Sequence, residues 1–183
     1  MSDIINKVIW KTSDGENASA IVFRRKLEKL FDEFEENTDA DNNNEIQNHL
    51  QQAMIYAKTQ MLDSNIKSVY EKGIDNSFKT AYTIAVADFL NAPDISEIDL
   101  TNYQGRIGDT IRVKVIDDFK VKFVKINIYN QNGALLERGH AFNQGDYWLY
   151  TIVKENDNLD GDKIIIQASD IPGNLTEKQQ IIS

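Results

Sequence analysis

The chain has no cysteine, and only two prolines and two histidines among its 183 residues. Without thiols it can form neither a disulfide framework nor a thiolate metal site, and it has no sulfur nucleophile. His49 and His140 stand far apart, with no His-x-His or His-Glu-x-x-His spacing for zinc. There is no Gly-x-Ser-x-Gly, no phosphate-cradling glycine loop and no dinucleotide fingerprint. These absences argue against an enzyme, and no cofactor is expected beyond a calcium ion at the acidic loops described below. No window approaches the roughly 18 apolar residues that a membrane span needs. The opening "MSDIINKVIWKTSDGEN" lacks a basic leader, and Asn6, Lys7 and Lys11 break its apolar stretch. A cytoplasmic protein with no membrane partner is the expectation. Positive charge is scarce too, with 20 Lys and Arg against 29 Asp and Glu. A net charge of -9 opposes nucleic acid as a partner.

What is present falls into two halves with different periods. Residues 1–92 read as a helical domain. Ala20, Phe23, Leu27, Leu30, Phe31 and Phe34 make one apolar stripe. "TDADNNN" at 38–44 reads as a polar break. Ile46, Leu50, Ala53, Met54, Ala57 and Met61 mark a second helix, which continues or restarts at Ser64 and reaches Gly73. "NSFKTAYTIAVADFL" gives a third, with Asn76 as its cap and Asn91 and Pro93 as its stop. About three helices forming a bundle are expected.

Residues 93–183 have a period of two. In "TIRVKVID", Ile111, Val113 and Val115 point one way and Arg112 and Lys114 the other. "VKFVKINIYN", "ALLERGHAF", "YWLYTIV", "KIIIQASD" and "LTEKQQIIS" follow, after a first short strand holding Ile95, Ile98 and Leu100. That makes seven strands separated by turn signals, the count and spacing of an Ig-like sandwich. The fold class is therefore α+β: an N-terminal helical bundle, then a seven-stranded antiparallel Ig-like β-sandwich.

The stretches "GDTIRVKVIDDFKVKFVKINIYNQNGALLERG", "YWLYTI" and "IIIQASDIPGN" resemble bacterial Ig-like and cadherin-like β-sandwich repeats. In those repeats a strand ends in an acidic pair and a late strand ends in Ala-x-Asp-x-x-Gly-Asn. "AYTIAVADFLNAP" running straight into the sandwich is similar to a group of uncharacterised bacterial proteins with a helical front half and an Ig-like back half. The resemblance implies a fold and hardly constrains function, since this fold hosts many.

Two sets of side chains could form a site. In an Ig-like order, the loops holding Asp117 and Asp118, Asp146, and Asp170 to Asn174 share one end of the sandwich. Such an oxygen-rich end suits a hard cation such as Ca²⁺, which takes about six to eight oxygens. The cadherin-like resemblance points the same way, although no Asp-x-Asn-Asp-Asn linker is present. The competing reading makes Asp170 and Asn174 the fasteners of a Pro172-Gly173 turn. "NDNLDGD" from Asn156 and "DADNNNE" from Asp39 look like parts of EF-hand loops but lack the twelfth-position Glu, and read as polar loops. The second set is a basic stripe on adjacent strands: Arg112, Lys114, Lys122 and Lys125. It would meet an acidic partner or the acidic run Asp32, Glu33, Glu35 and Glu36, or it only keeps strand faces soluble. The expected function is a non-enzymatic protein–protein interaction or assembly module that binds a protein partner or itself. The alternative is a small-ligand, carbohydrate or Ca²⁺-dependent binding protein using the sandwich loops.

Overall fold

A computed structural model describes residues 40–74 and 80–182. The chain is α+β, with a sheet-rich C-terminal part. It divides into two compact units, Met1–Asn91 and Ala92–Ser183. The apolar stripe at Ala20–Phe34, the acidic run at 32–36 and the proposed cap Asn76 lie outside the described residues.

Three helices are described in the first unit: α1 (Ala40–Gln60), α2 (Ser64–Glu71) and α3 (Ala81–Leu90). The polar break expected at 38–44 is instead taken into α1, which is helical from Ala40. A break does fall before Ser64. Asp63 caps α2 there, its Oδ1 accepting the Asn65 and Ile66 amides at 2.8 and 3.2 Å. Thr80 caps α3 in the same way, accepting from the Thr83 amide at 3.1 Å. Ala53 and Ala57 of α1 are fully buried, as are Ala85 and Asp88 of α3. Tyr70 of α2 donates to Asp88 Oδ2 at 2.6 Å, and its hydroxyl lies 2.9 Å from that of Tyr56. Burial and the Asp88 carboxylate push the Tyr70 phenol far above its usual range, so it stays a donor.

The second unit is built from eight strands: β1 (Asp94–Asp99), β2 (Thr110–Ile116), β3 (Val121–Tyr129), β4 (Leu135–His140), β5 (Phe142–Asn143), β6 (Trp148–Thr151), β7 (Lys163–Asp170) and β8 (Leu175–Ile181). They form two antiparallel four-stranded sheets, here called sheet A (β1-β2-β6-β5) and sheet B (β4-β3-β7-β8). The seven-strand expectation fails at one place. "ALLERGHAF" does not run as a single strand. Ala141, which is buried, donates to Val124 O at 2.9 Å, and the chain then crosses so that Phe142 and Asn143 pair with Leu149 and Trp148 of β6. A single strand would have to serve two sheets, so it breaks at the corner.

Alternation then builds the core. Ile111, Val113, Tyr150 and Ile95 of sheet A belong to one hydrophobic cluster with Val124, Ile126, Ile128, Ile164, Ile166 and Ala168 of sheet B. This two-layer arrangement is compatible with a β-sandwich. Two charged side chains tie the edge strands of sheet B to sheet A. On β4, Glu137 points inward and is 8% exposed. It accepts from the Tyr150 hydroxyl at 2.6 Å and from the Val153 and Lys154 amides at 2.8 and 3.0 Å. Gly139 leaves the passage open for this: a Cβ there would stand 2.7 Å from Tyr150 Cε2. On β8, Lys178 Nζ donates to Ile95 O of β1 at 2.9 Å.

Replacing Glu137 with Ala leaves a buried hydroxyl and two amides without an acceptor, and is expected to cost about 3 kcal/mol of stability in urea unfolding. A loss within about 0.5 kcal/mol, the level of an ordinary surface substitution, would show that the latch contributes nothing.

Candidate functional site

The pairing of Asp94 with Ile116 and of Val121 with Asp170 brings the end of β2 and the end of β7 to the same end of the unit. Carboxylate oxygens of Asp117 and Asp170 lie within 4.8 Å of one another there. Of the expected ligands, these two carboxylates are brought together, with Asn174 bonded to Asp170. Asp118 and Asp146 do not belong to the group, and Asp146 is exposed in the β5–β6 turn.

Asp170 is fully buried. Its Oδ1 accepts the Gly173 and Asn174 amides at 2.8 and 2.7 Å, and its Oδ2 accepts Asn174 Nδ2 at 2.7 Å. Gly173 has φ 98, the left-handed conformation that a Pro-Gly turn requires at its glycine. This arrangement is the turn reading of Asp170 and Asn174, drawn in hydrogen bonds. Burial still raises the Asp170 carboxyl above its usual range, against the lowering effect of Asn174 and the turn amides.

Asp117 is less well served. Its Oδ1 accepts the Asp118 amide at 2.9 Å. Its Oδ2 is buried and meets no hydrogen-bond donor among the described residues. Burial, then the charges of Asp170 and Asp118, push its carboxyl up to about 6, although the Asp118 and Lys120 amides oppose the rise. Chemically the pair can hold a proton, or a cation that replaces it.

The expected basic stripe is not one surface. β2 and β3 belong to different sheets, because the chain crosses from sheet A to sheet B between them. Arg112 and Lys114 lie on the outer face of sheet A, Lys125 lies on the outer face of sheet B, and Lys122 falls at the irregularity between Val121 and Phe123. Arg112 is already engaged. It pairs with Asp99 at 3.6 Å and stacks on the Tyr147 ring at 4.2 Å. Its row across sheet A runs Asp99, Arg112, Leu149, Phe142. Phe142 is 73% exposed.

The "NDNLDGD" run is a loop tied to the core, with Leu159 packed on the hydrophobic cluster and Asp162 buried. Asn156 Nδ2 donates to Asp162 Oδ2 at 2.6 Å and to the Tyr103 hydroxyl at 3.2 Å. Its carbonyl closes on Gly105, where a Cβ would stand 2.1 Å from Asn156 O. Asp157 and Asp160 stay exposed. The other run, "DADNNNE", lies within α1 from Ala40 onward and is no loop. Glu137 was missed by the sequence reading, which gave it no role. Its phase in "LLERGH", alternate to Arg138 and His140, was the available signal.

Asp117 makes the stability of the fold depend on pH. The folded state holds this proton up to about pH 6, whereas the unfolded chain releases it near 3.8. The group's stabilising contribution is thus present at low pH and lost as pH rises through about 4 to 6. Asp117→Asn should therefore raise stability at pH 7 by roughly 1 kcal/mol, after allowance for partial exposure. Melting curves at pH 4 and pH 7 check this. An equal or lower melting temperature for the variant at pH 7 would contradict it.

No family model matches the chain, and no curated protein matches it. Among solved structures, an engineered protein is similar over 64% of this chain and 27% of its own, at 14% identity and a TM-score of 0.34. A conjugative transposon lipoprotein from Bacteroides eggerthii is similar over 48% of this chain and 92% of its own, at 14% identity and a TM-score of 0.27. The chain thus spans about a quarter of the engineered protein it matches. At these TM-scores neither likeness carries an argument.

Proposed function

We propose that the chain is a non-enzymatic protein-binding module consisting of a helical bundle and an Ig-like β-sandwich. The strand order supports the Ig-like reading. Taken in sequence, β1, β2, β6 and β5 occupy the places of strands A, B, E and D, and β3, β7 and β8 those of C, F and G. β4 is then an extra strand beside C.

One observation carries the binding role: the row of Arg112, Leu149 and Phe142 on the outer face of sheet A, with the Tyr147 ring against the guanidinium. An exposed aromatic beside an aliphatic and a ring-stacked arginine is the composition that protein interfaces concentrate at their centres. A phenylalanine 73% exposed on a two-residue edge strand contributes little to folding. The row serves contact with a second copy or with a protein partner.

Sedimentation velocity over a concentration series tests the first of these. The wild-type chain is expected to sediment above its 20.9 kDa monomer mass as concentration rises, and Phe142→Ser to return it to that mass. A chain that stays at 20.9 kDa at every concentration, whatever stands at position 142, contradicts self-association through this row.

The second reading, a Ca²⁺-dependent binding protein, rests on the buried Asp117 Oδ2 beside Asp170. A cation that binds only the folded state raises the melting temperature in proportion to the logarithm of its concentration. Millimolar Ca²⁺ that leaves melting unchanged in the wild type removes this reading. A rise that Asp117→Asn abolishes supports it.

A further inference from the structure

The outer face of sheet B carries a charge pattern at odds with the chain as a whole. Acidic side chains outnumber basic ones by 29 to 20. Yet the outward positions of β4, β3 and β7 hold Arg138, Lys125 and Lys163 together with His140, and the one carboxylate on the face, Glu177 of β8, is taken up by Gln167, which donates to it at 2.9 Å. The register groups Lys125, His140 and Arg138, and sets Lys163 four positions along β3 from Lys125. Lys125 sits opposite His140 and diagonal to Arg138, about 7–8 Å away. Lys163 sits opposite Tyr129. Rings flank the cations: Phe123 meets His140 edge-on at 5.6 Å, and the Lys163 ammonium lies 5.8 Å from the Tyr129 ring centre. Among the described residues, none of the three cations has an ion-pair partner, in contrast to Arg112 on the other sheet.

We propose that this face docks a short acidic segment of another protein in extended conformation. The inference rests on the protein-binding reading above and gives it a second surface, with a partner of stated chemistry. Charge complementarity selects that partner. Screening at physiological salt confines each charge to about 8 Å, so a short segment feels the local cations and little of the net charge of -9. A long polyanion such as a nucleic acid extends past the face and meets the acidic remainder. Side chains on one side of an extended segment recur about every 6.8 Å, twice the rise per residue, which matches the diagonal spacing of Lys125 and Arg138. The partner's carboxylates supply the ion-pair partners that these three cations lack among the described residues.

The test is fluorescence anisotropy of a fluorescein-labelled ten-residue polyglutamate peptide with the full chain at low and physiological salt. The wild type is expected to bind, more weakly as salt rises. Arg138→Ser with Lys163→Ser should weaken binding about fivefold or more, and Lys72→Ser with Lys114→Ser less than about twofold. If the sheet B pair melts below the wild type, Lys125→Ser provides the same readout. No binding of the peptide by the wild type overturns the proposal. So does equal weakening by both pairs, or tighter binding of a labelled single-stranded DNA of the same length. None of these results bears on self-association through Phe142, which the sedimentation series reads separately.

Discussion

A charged side chain reaching backbone groups that no strand partner serves is the interaction on which the second unit depends. Two stacked sheets have two open sides, and each needs closing without an extra strand. On one side Glu137 gathers two amides and a tyrosine hydroxyl from β6 and the chain that follows it. On the other, Lys178 reaches a β1 carbonyl. Both come from the edge strands of sheet B. An inward lysine also makes β8 a poor template for a further strand, since pairing would have to bury its charge.

The same chemistry recurs at other turns and at a helix start. Asp170 holds the Gly173 and Asn174 amides, Asp109 holds those of Gln104 and Arg106, and Asp63 starts α2. Much of the acidity that sequence reading could assign to a cation site is spent on backbone donors. Asp117 is the exception at the loop end. It gains the Asp118 and Lys120 amides, but it loses solvent and sits beside another carboxylate, so it binds its proton more tightly instead.

Alternation made most of the sheet legible in advance. "TIRVKVI" and "KIIIQASD" form strands with the inward residues expected, and the turn role of Asp170 was one of two readings already open. Two things were hidden, both because pairing is not local. The corner at Ala141 depends on β6 being there to receive Phe142. The division of the four cations depends on which sheet each strand joins, and β2 and β3 join different ones. The cation face of sheet B escaped notice for the same reason, because Lys163 joins the sheet of Lys125 and Arg138 only through the β3–β7 register.

Native-state hydrogen exchange of four amides tests the central claim that these carboxylates hold the fold. Val153, Lys154, Gly173 and Asn174 all lie outside regular strands, and each donates to Glu137 or Asp170. If the carboxylates are fasteners, these amides exchange as slowly as those of β3 and β7, through opening of the whole unit. If they exchange at the rate of open loops, the carboxylates are free, and the two sheets are held together by their apolar cluster alone.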